Sequence, residues 1–164
     1  MPLTGLAPLV SPDTQVLILG SFPGGRSLQM QQYYAHPQNQ FWKILQAIWP
    51  SSPLDMSTTS YEKRSTWLLE RRLGLWDVYA ACEREGSLDS AIRNAEVNDI
   101  ASLHLPHLAA IAHNGGESFK HARHTRTLGV PVVQLPSTSP ANASWSFDRK
   151  LAAWRAVMQQ HGLA

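Results

Sequence analysis

The chain has very little cysteine: one residue, Cys82, among 164. A lone cysteine cannot build a disulfide framework, a multi-Cys zinc site or a four-Cys iron–sulfur cluster. Long apolar runs are missing too. None approaches the roughly 20 residues that a membrane helix needs, and the first residues lack a basic-then-apolar leader pattern. Charge is sparse, 16% of residues, and nearly balanced, with 14 Lys+Arg against 12 Asp+Glu and a net charge of +2. That is too small to attract a polyanion through bulk field alone. These absences point to a soluble, cytoplasmic chain without metal or cofactor. At this length, residues 1–164 fit one domain with one sizeable core.

What is present is more informative. Six tryptophans stand against four tyrosines and four phenylalanines, and Trp serves equally in cores and in ligand platforms. Charge is also unevenly spread. From Glu70 to Glu117 eight acids face four bases, whereas from Ser118 onward six bases face the single acid Asp148. A basic last third suggests an anionic partner on one face; a solvated helix face has the same composition.

Apolar runs at Gln15–Gly20, Leu73–Val78, Leu108–His113 and Val130–Leu135 predict four strands. Pro131 places the fourth at its start or at a sheet edge. Phe41, Ile44, Leu45, Ile48 and Trp49 follow helical spacing up to Pro50, and Leu151, Trp154 and Met158 mark a last helix. Further helices are predicted at Tyr61–Arg72, at Ser87–Leu105 with caps at Ser87 and Asn98, and at Glu117–Thr127. A polar loop is expected at Ser51–Ser60. Strands alternating with helices predict a three-layer α/β/α domain around a four-stranded, mainly parallel sheet. Ligands of such folds bind beyond the carboxyl ends of the strands, which here carry GSFPGG, WDVY, HNGG and PSTSPAN.

The first of these loops, Gly20-Ser21-Phe22-Pro23-Gly24-Gly25, lets backbone amides approach a ligand closely. It is neither GxGxxG nor a Gly-Lys-Ser/Thr phosphate loop, and no GxSxG or HExxH occurs. The segment Tyr33 to Trp42 (YYAHPQNQFW) packs aromatics, a His and amides directly before a helix. Asn39 is either the helix cap or an amide that holds a water.

In this order, GSFPGG, YYAHPQNQFW, LWDV, HNGG and LPSTSPAN resemble the uracil-DNA glycosylase superfamily, and within it the hypoxanthine-DNA (deoxyinosine) glycosylase family. The likeness runs from about Gln15 to about Trp154. It implies a monomeric, monofunctional enzyme that flips a deaminated base out of DNA and hydrolyses its N-glycosidic bond. Hypoxanthine would be the first substrate and uracil the second. Where the mismatch-specific branch reads GINPG, this chain has Phe22 in place of the catalytic Asn, and Ser137 fills the place of a catalytic His. The resemblance therefore carries the catalytic role to Asn39. It places Tyr34, with Phe22, against the flipped base beside Gly20 and Ser21. Asp77 is either a base reader or a buried structural acid, and Asn114 either reads the base or anchors a loop. The last loop, Ser137, Thr138, Ser139, Pro140 and Ala141, is expected in the minor groove. Ala141 replaces the Leu wedge of related enzymes, which implies a preference for mismatched or single-stranded sites. Lys120 and Arg123 either line the DNA track or belong to a solvated face. No lysine occurs on these loops to form a Schiff base, and the only carboxylate on them is Asp77. The alternatives are a uracil-DNA glycosylase with uracil as its main substrate, a small-molecule hydrolase or nucleosidase, and a non-catalytic DNA-binding relative.

Overall fold

The computed structural model describes residues 2–54 and 60–164; part of the expected loop, 55–59, lies outside the described residues. In chain order the elements are β1 (Leu3–Thr4), β2 (Val16–Gly20), α1 (Gly25–Met30), α2 (Phe41–Ile48) and α3 (Tyr61–Glu70). There follow β3 (Leu73–Asp77), β4 (Tyr79–Glu83), β5 (Arg93–Val97) and β6 (Ala110–Asn114). The chain ends with α4 (Gly116–Phe119), α5 (Ala122–Thr125), β7 (Val132–Leu135) and α6 (Phe147–Gln160).

Every residue of β2, Val-Leu-Ile-Leu-Gly, is buried. A strand covered on both faces has no polar side, which is why its sequence is an unbroken apolar run. Successive side chains leave to opposite faces. Val16 and Ile18 enter one apolar cluster with Leu73, Leu75, Ala110 and Ala112, while Leu17 and Leu19 enter a second with Ile111. The four parallel strands run β3-β2-β6-β7. From β2 the chain moves outward to β3, and from β6 outward to β7. The crevice between the carboxyl ends of β2 and β6 is therefore the topological switch point where ligands bind.

Phe41, Ile44, Leu45 and Ile48 of α2, Leu68 of α3 and Trp154 and Met158 of α6 cover the first face. Side-chain caps set two of these helices: Ser60 Oγ accepts from Lys63 N–H, and Ser146 Oγ from Arg149 N–H. Five of the six tryptophans donate their indole N–H to a backbone carbonyl: Trp42 to Tyr33, Trp49 to Leu163, Trp67 to Ser52, Trp76 to Leu6 and Trp154 to Pro136. These are structural pegs, which leaves Trp145 for the ligand side.

The second face departs from the sequence expectation in two places. The helix expected at Ser87–Leu105 is instead a 3-10 turn at Asp89–Ala91, strand β5 and a second 3-10 turn at Ile100–Leu103. All five residues of β5 are exposed, and the segment reaches the second apolar cluster only through Ile92 before it and Ile100, Leu103 and Leu105 after it, so the middle of the expected helix has no buried stripe. The chain pairs antiparallel with β4, which also holds β1, in a small three-stranded sheet. The two expected caps act elsewhere: Ser87 Oγ accepts from Gly25 N–H at the start of α1, and Asn98 Nδ2 donates to Asp77 O.

The helix expected at Glu117–Thr127 is split into α4, α5 and a 3-10 turn at Arg126–Leu128. His113, fully buried, bonds Ser118 Oγ through Nδ1 (2.8 Å) and Thr125 Oγ1 through Nε2 (2.9 Å). In one continuous helix those hydroxyls would stand about 10 Å apart along the axis, too far for one imidazole to bridge. Satisfying the buried ring breaks the helix.

Candidate active site

The four strand-end loops converge, as the sequence predicts, on one cavity of about 1130 Å³. Its wall includes Gly20 to Ser27, Tyr34, Asn39, Asp77, Asn114 and Pro136 to Asn142.

Asp77 ends β3 and is 5% exposed. Its Oδ2 is buried without a hydrogen-bond partner. Burial, reinforced by the nearby charge of Asp89, lifts its pKa from 3.8 to about 7, against a smaller opposing pull from Arg84. Near neutral pH the group is thus divided between a proton-donating acid and an accepting carboxylate. Gly20 is required beside it, because a Cβ there would lie 2.5 Å from Asp77 Oδ1 and 3.3 Å from the Tyr34 hydroxyl.

Tyr34 adopts a left-handed backbone, φ 54°. One ring face stacks on Phe41 at 4.0 Å between centroids and 19° between planes. Its hydroxyl accepts from Asn114 Nδ2 (3.1 Å), and burial holds its pKa well above the ordinary phenol value.

Asn114 lines the cavity and anchors the last loop. Nδ2 donates to Tyr34 Oη and Thr138 Oγ1, and Oδ1 accepts from Thr138 N–H, each at 3.1 Å. With both amide hydrogens and an acceptor site committed, it latches the last loop to the sheet. Thr138, 1% exposed, is the other half of that latch. Gly115, at φ 95°, packs against Ser137, whose Cβ would lie 3.1 Å from an added methyl.

Asn39 is not the cap of α2, a place taken by Gln40, but stands one residue before it. Its Oδ1 accepts from Phe41 N–H (3.0 Å) at the start of α2, while the residue lines the cavity. An amide oxygen has two acceptor sites, so one is left to hold a water. Two further contacts fix this segment: Gln40 N–H donates to Thr138 O, and the buried Lys150 Nζ donates to Gln40 Oε1, both at 3.0 Å.

Phe22 lines the cavity, but its ring is nearly buried in the second apolar cluster, with the Arg84 guanidinium 5.3 Å from its centroid. The ring forms wall rather than an open stacking face. Ser21 Oγ donates to Asp89 Oδ1 (2.7 Å). Ser137, Ser139, Pro140 and Ala141 form the rim of the last loop. Lys120 and Arg123 do not line the cavity. Lys120 Nζ bonds Glu117 Oε1 (3.0 Å), and Arg123 Nε donates to His124 Nε2 (3.3 Å).

Sequence reasoning missed the wall segment Ser87–Ser90 and with it a second carboxylate, Asp89. No local signal marks these residues, because a chain reversal outside the main sheet brings them in. Lys150 was likewise unmarked, reading as one more charge on a helix.

The switch point of the parallel sheet thus carries one open cavity walled by the amide of Asn39, the phenol of Tyr34 and the raised carboxyl of Asp77. The chain belongs to the uracil DNA glycosylase superfamily, whose family model matches residues 7–158. It is 38% identical over 157 residues to a hypoxanthine DNA glycosylase of Methanosarcina acetivorans, covering 94% of this chain and 97% of that one. It is 36% identical over 152 residues to a hypoxanthine DNA glycosylase of Methanosarcina barkeri, covering 92% and 94%. The fold superposes with a TM-score of 0.85 on a solution NMR structure of a Methanosarcina acetivorans protein described as a candidate uracil DNA glycosylase. That pair is 36% identical and covers 98% of both chains.

Proposed function

We propose that this chain is a monofunctional DNA glycosylase that removes hypoxanthine from deoxyinosine in DNA, with uracil as a second substrate. It would act as a cytoplasmic monomer without metal or cofactor. The observation that carries the reading is the meeting of Asn39, Tyr34 and Asp77 in one cavity at the sheet's switch point. Near-full-length likeness to two hypoxanthine DNA glycosylases supports the choice of base.

In the reaction the C1′–N bond breaks with its electron pair leaving on the base, water oxygen bonds C1′, and the proton that the water sheds ends on the base anion. Positive charge develops on the sugar and negative charge on the base. A nucleobase leaves far more readily than an alcohol, so two carboxylates in the manner of ordinary glycosidases are not required. Donors aimed at the departing base and one positioned water supply the stabilisation. Asn39 Oδ1 holds the water. Tyr34 stacks on the base with the face away from Phe41, a contact that contributes ~1–3 kcal/mol. Asp77 in its neutral form donates to the base carbonyl, so that no carboxylate charge opposes the charge forming on the leaving group. No lysine lines the cavity among the described residues, which fits simple hydrolysis rather than Schiff-base strand cleavage. Ser137 and Ser139, with Pro140 and Ala141 beside them on the rim, meet the DNA backbone, and Lys120 and Arg123 flank the track; Thr138, expected from the sequence to touch DNA, is instead buried and holds the loop through Asn114.

The test is to incubate the protein with labelled duplexes holding one deoxyinosine, deoxyuridine or deoxyxanthosine and then cleave abasic sites with alkali. Strand cleavage at deoxyinosine is the expected result. Product from deoxyuridine alone reassigns the substrate, and no product from any duplex indicates a binding protein.

A further inference from the structure

Drawing one nucleotide out of a duplex leaves a gap in the stack, and DNA-bending and base-flipping proteins fill such gaps with an apolar side chain. That side chain must stand exposed beside the base cavity on a stiff turn. The last loop offers only the compact ring of Pro140 and the methyl of Ala141. Among the described residues, the large hydrophobic side chains that are exposed are Met30, Leu88 and Val97, and only Leu88 lines the cavity. It is 59% exposed. Of the other bulky groups of the wall, Phe22, Tyr33 and Leu135 are buried in the core, Tyr34 stacks on Phe41, and Trp145 is half-buried with the Arg149 guanidinium 4.1 Å from its ring centroid.

The turn bearing Leu88 is clamped on both sides to the first Gly-rich loop. Ser87 Oγ accepts from Gly25 N–H (2.9 Å), and Asp89 Oδ1 accepts from Ser21 Oγ (2.7 Å). Arg84 closes the clamp by donating to Pro23 O (2.8 Å) and Gly86 O (2.9 Å), and Leu88 O accepts from Ala91 N–H (3.1 Å). Leu88 belongs to neither apolar cluster, and the clamped turn holds its side chain out at the cavity mouth.

We propose that Leu88 is the wedge that enters the base stack from the β4–β5 side as the nucleotide turns into the cavity. The proposal rests on the reading of the chain as a DNA glycosylase. Arg26, exposed on the same rim, and the hydroxyls of Ser87 and Ser90 suit the flanking phosphates. With the wedge on this rim, Ala141 on the other no longer implies weak duplex opening.

Leu88→Ala and Leu88→Met are compared with the wild type in single-turnover excision from an oligonucleotide carrying one deoxyinosine, as a duplex and as a single strand. The expected result is that Leu88→Ala lowers the duplex-to-single-strand rate ratio by about tenfold or more, and that Leu88→Met restores it. An unchanged ratio overturns the proposal. A second readout places 2-aminopurine 3′ to the lesion and follows the fluorescence rise on binding as its neighbour unstacks. Loss of that rise in Leu88→Ala supports the wedge, and an equal rise in both proteins overturns it. If the wild type excises nothing, the substrate reading fails, while the fluorescence comparison still decides the role of Leu88.

Discussion

Replacing Asp77 by Asn removes one ionisable group and leaves the shape of the cavity nearly intact. In the unfolded chain the carboxyl titrates near 3.8, and in the fold near 7. Between those values the folded state binds a proton that the unfolded state does not, so stability falls as pH rises through the window. At about 1.4 kcal/mol for each pKa unit, the full gap amounts to about 4 kcal/mol. That is an upper bound, because water entering the cavity relieves part of the desolvation. Asp77→Asn should therefore unfold at higher urea than the wild type near pH 8, by about 2–4 kcal/mol, and the gain should vanish near pH 4. Other titrating groups are common to both proteins and cancel in the difference. The assay is equilibrium urea denaturation of both at several pH values. A gain that is the same at both extremes, or a loss at pH 8, would refute the burial of an unpaired acid at this position. The same variant keeps a neutral donor toward the base, so its excision rate should lack the decline through pH 7 expected of the wild type.

Asn39→Ala should lower single-turnover excision by about 10² or more; the lost hydrogen bond from Phe41 N–H costs only about 1 kcal/mol, so a melting curve separates catalytic loss from unfolding. Gly20→Ala drives a methyl into Asp77 Oδ1; excision should fall, and the pH-dependent stability difference assigned to Asp77 should shrink as its carboxyl is pushed aside, both read in the assays above. His113 is held neutral by burial, its pKa pushed down to about 4 from 6.5. Here the unfolded chain takes up the proton first, so stability is lost as pH falls from 6.5 toward 4, by about 3 kcal/mol. His113→Gln should be less stable at pH 7 and show a flatter acid limb in urea titrations, whereas an unchanged acid limb would place the titration elsewhere.

Much of the architecture is legible in the residues themselves. The parallel strands announce themselves because burial on both faces demands continuous apolar sequence, as in Val16–Gly20. Helix α2 is legible because one buried stripe repeats every third or fourth residue. Once strands and helices alternate, the carboxyl-end rule converges the four loops, which groups Gly20, Asp77, Asn114 and Thr138 from the sequence; Tyr34 and Asn39 joined them only through the family resemblance. Where a segment buries nothing, as in β5, periodicity carries no information, and the expected helix there was wrong.

Three matters were decided only by the tertiary structure. That Asn114 anchors the last loop shows only in the bonds of its amide to Tyr34 and Thr138. Asp77 is an ordinary acid in the sequence, and its pKa near 7 arises from desolvation by distant walls. Ser21 meets Asp89 across 68 residues and Gly25 meets Ser87 across 62, setting Leu88 at the cavity mouth. Local sequence records which face of an element is buried. It does not record which distant groups will share one volume, and dielectric, hydrogen-bond commitment and exposure are properties of that shared volume.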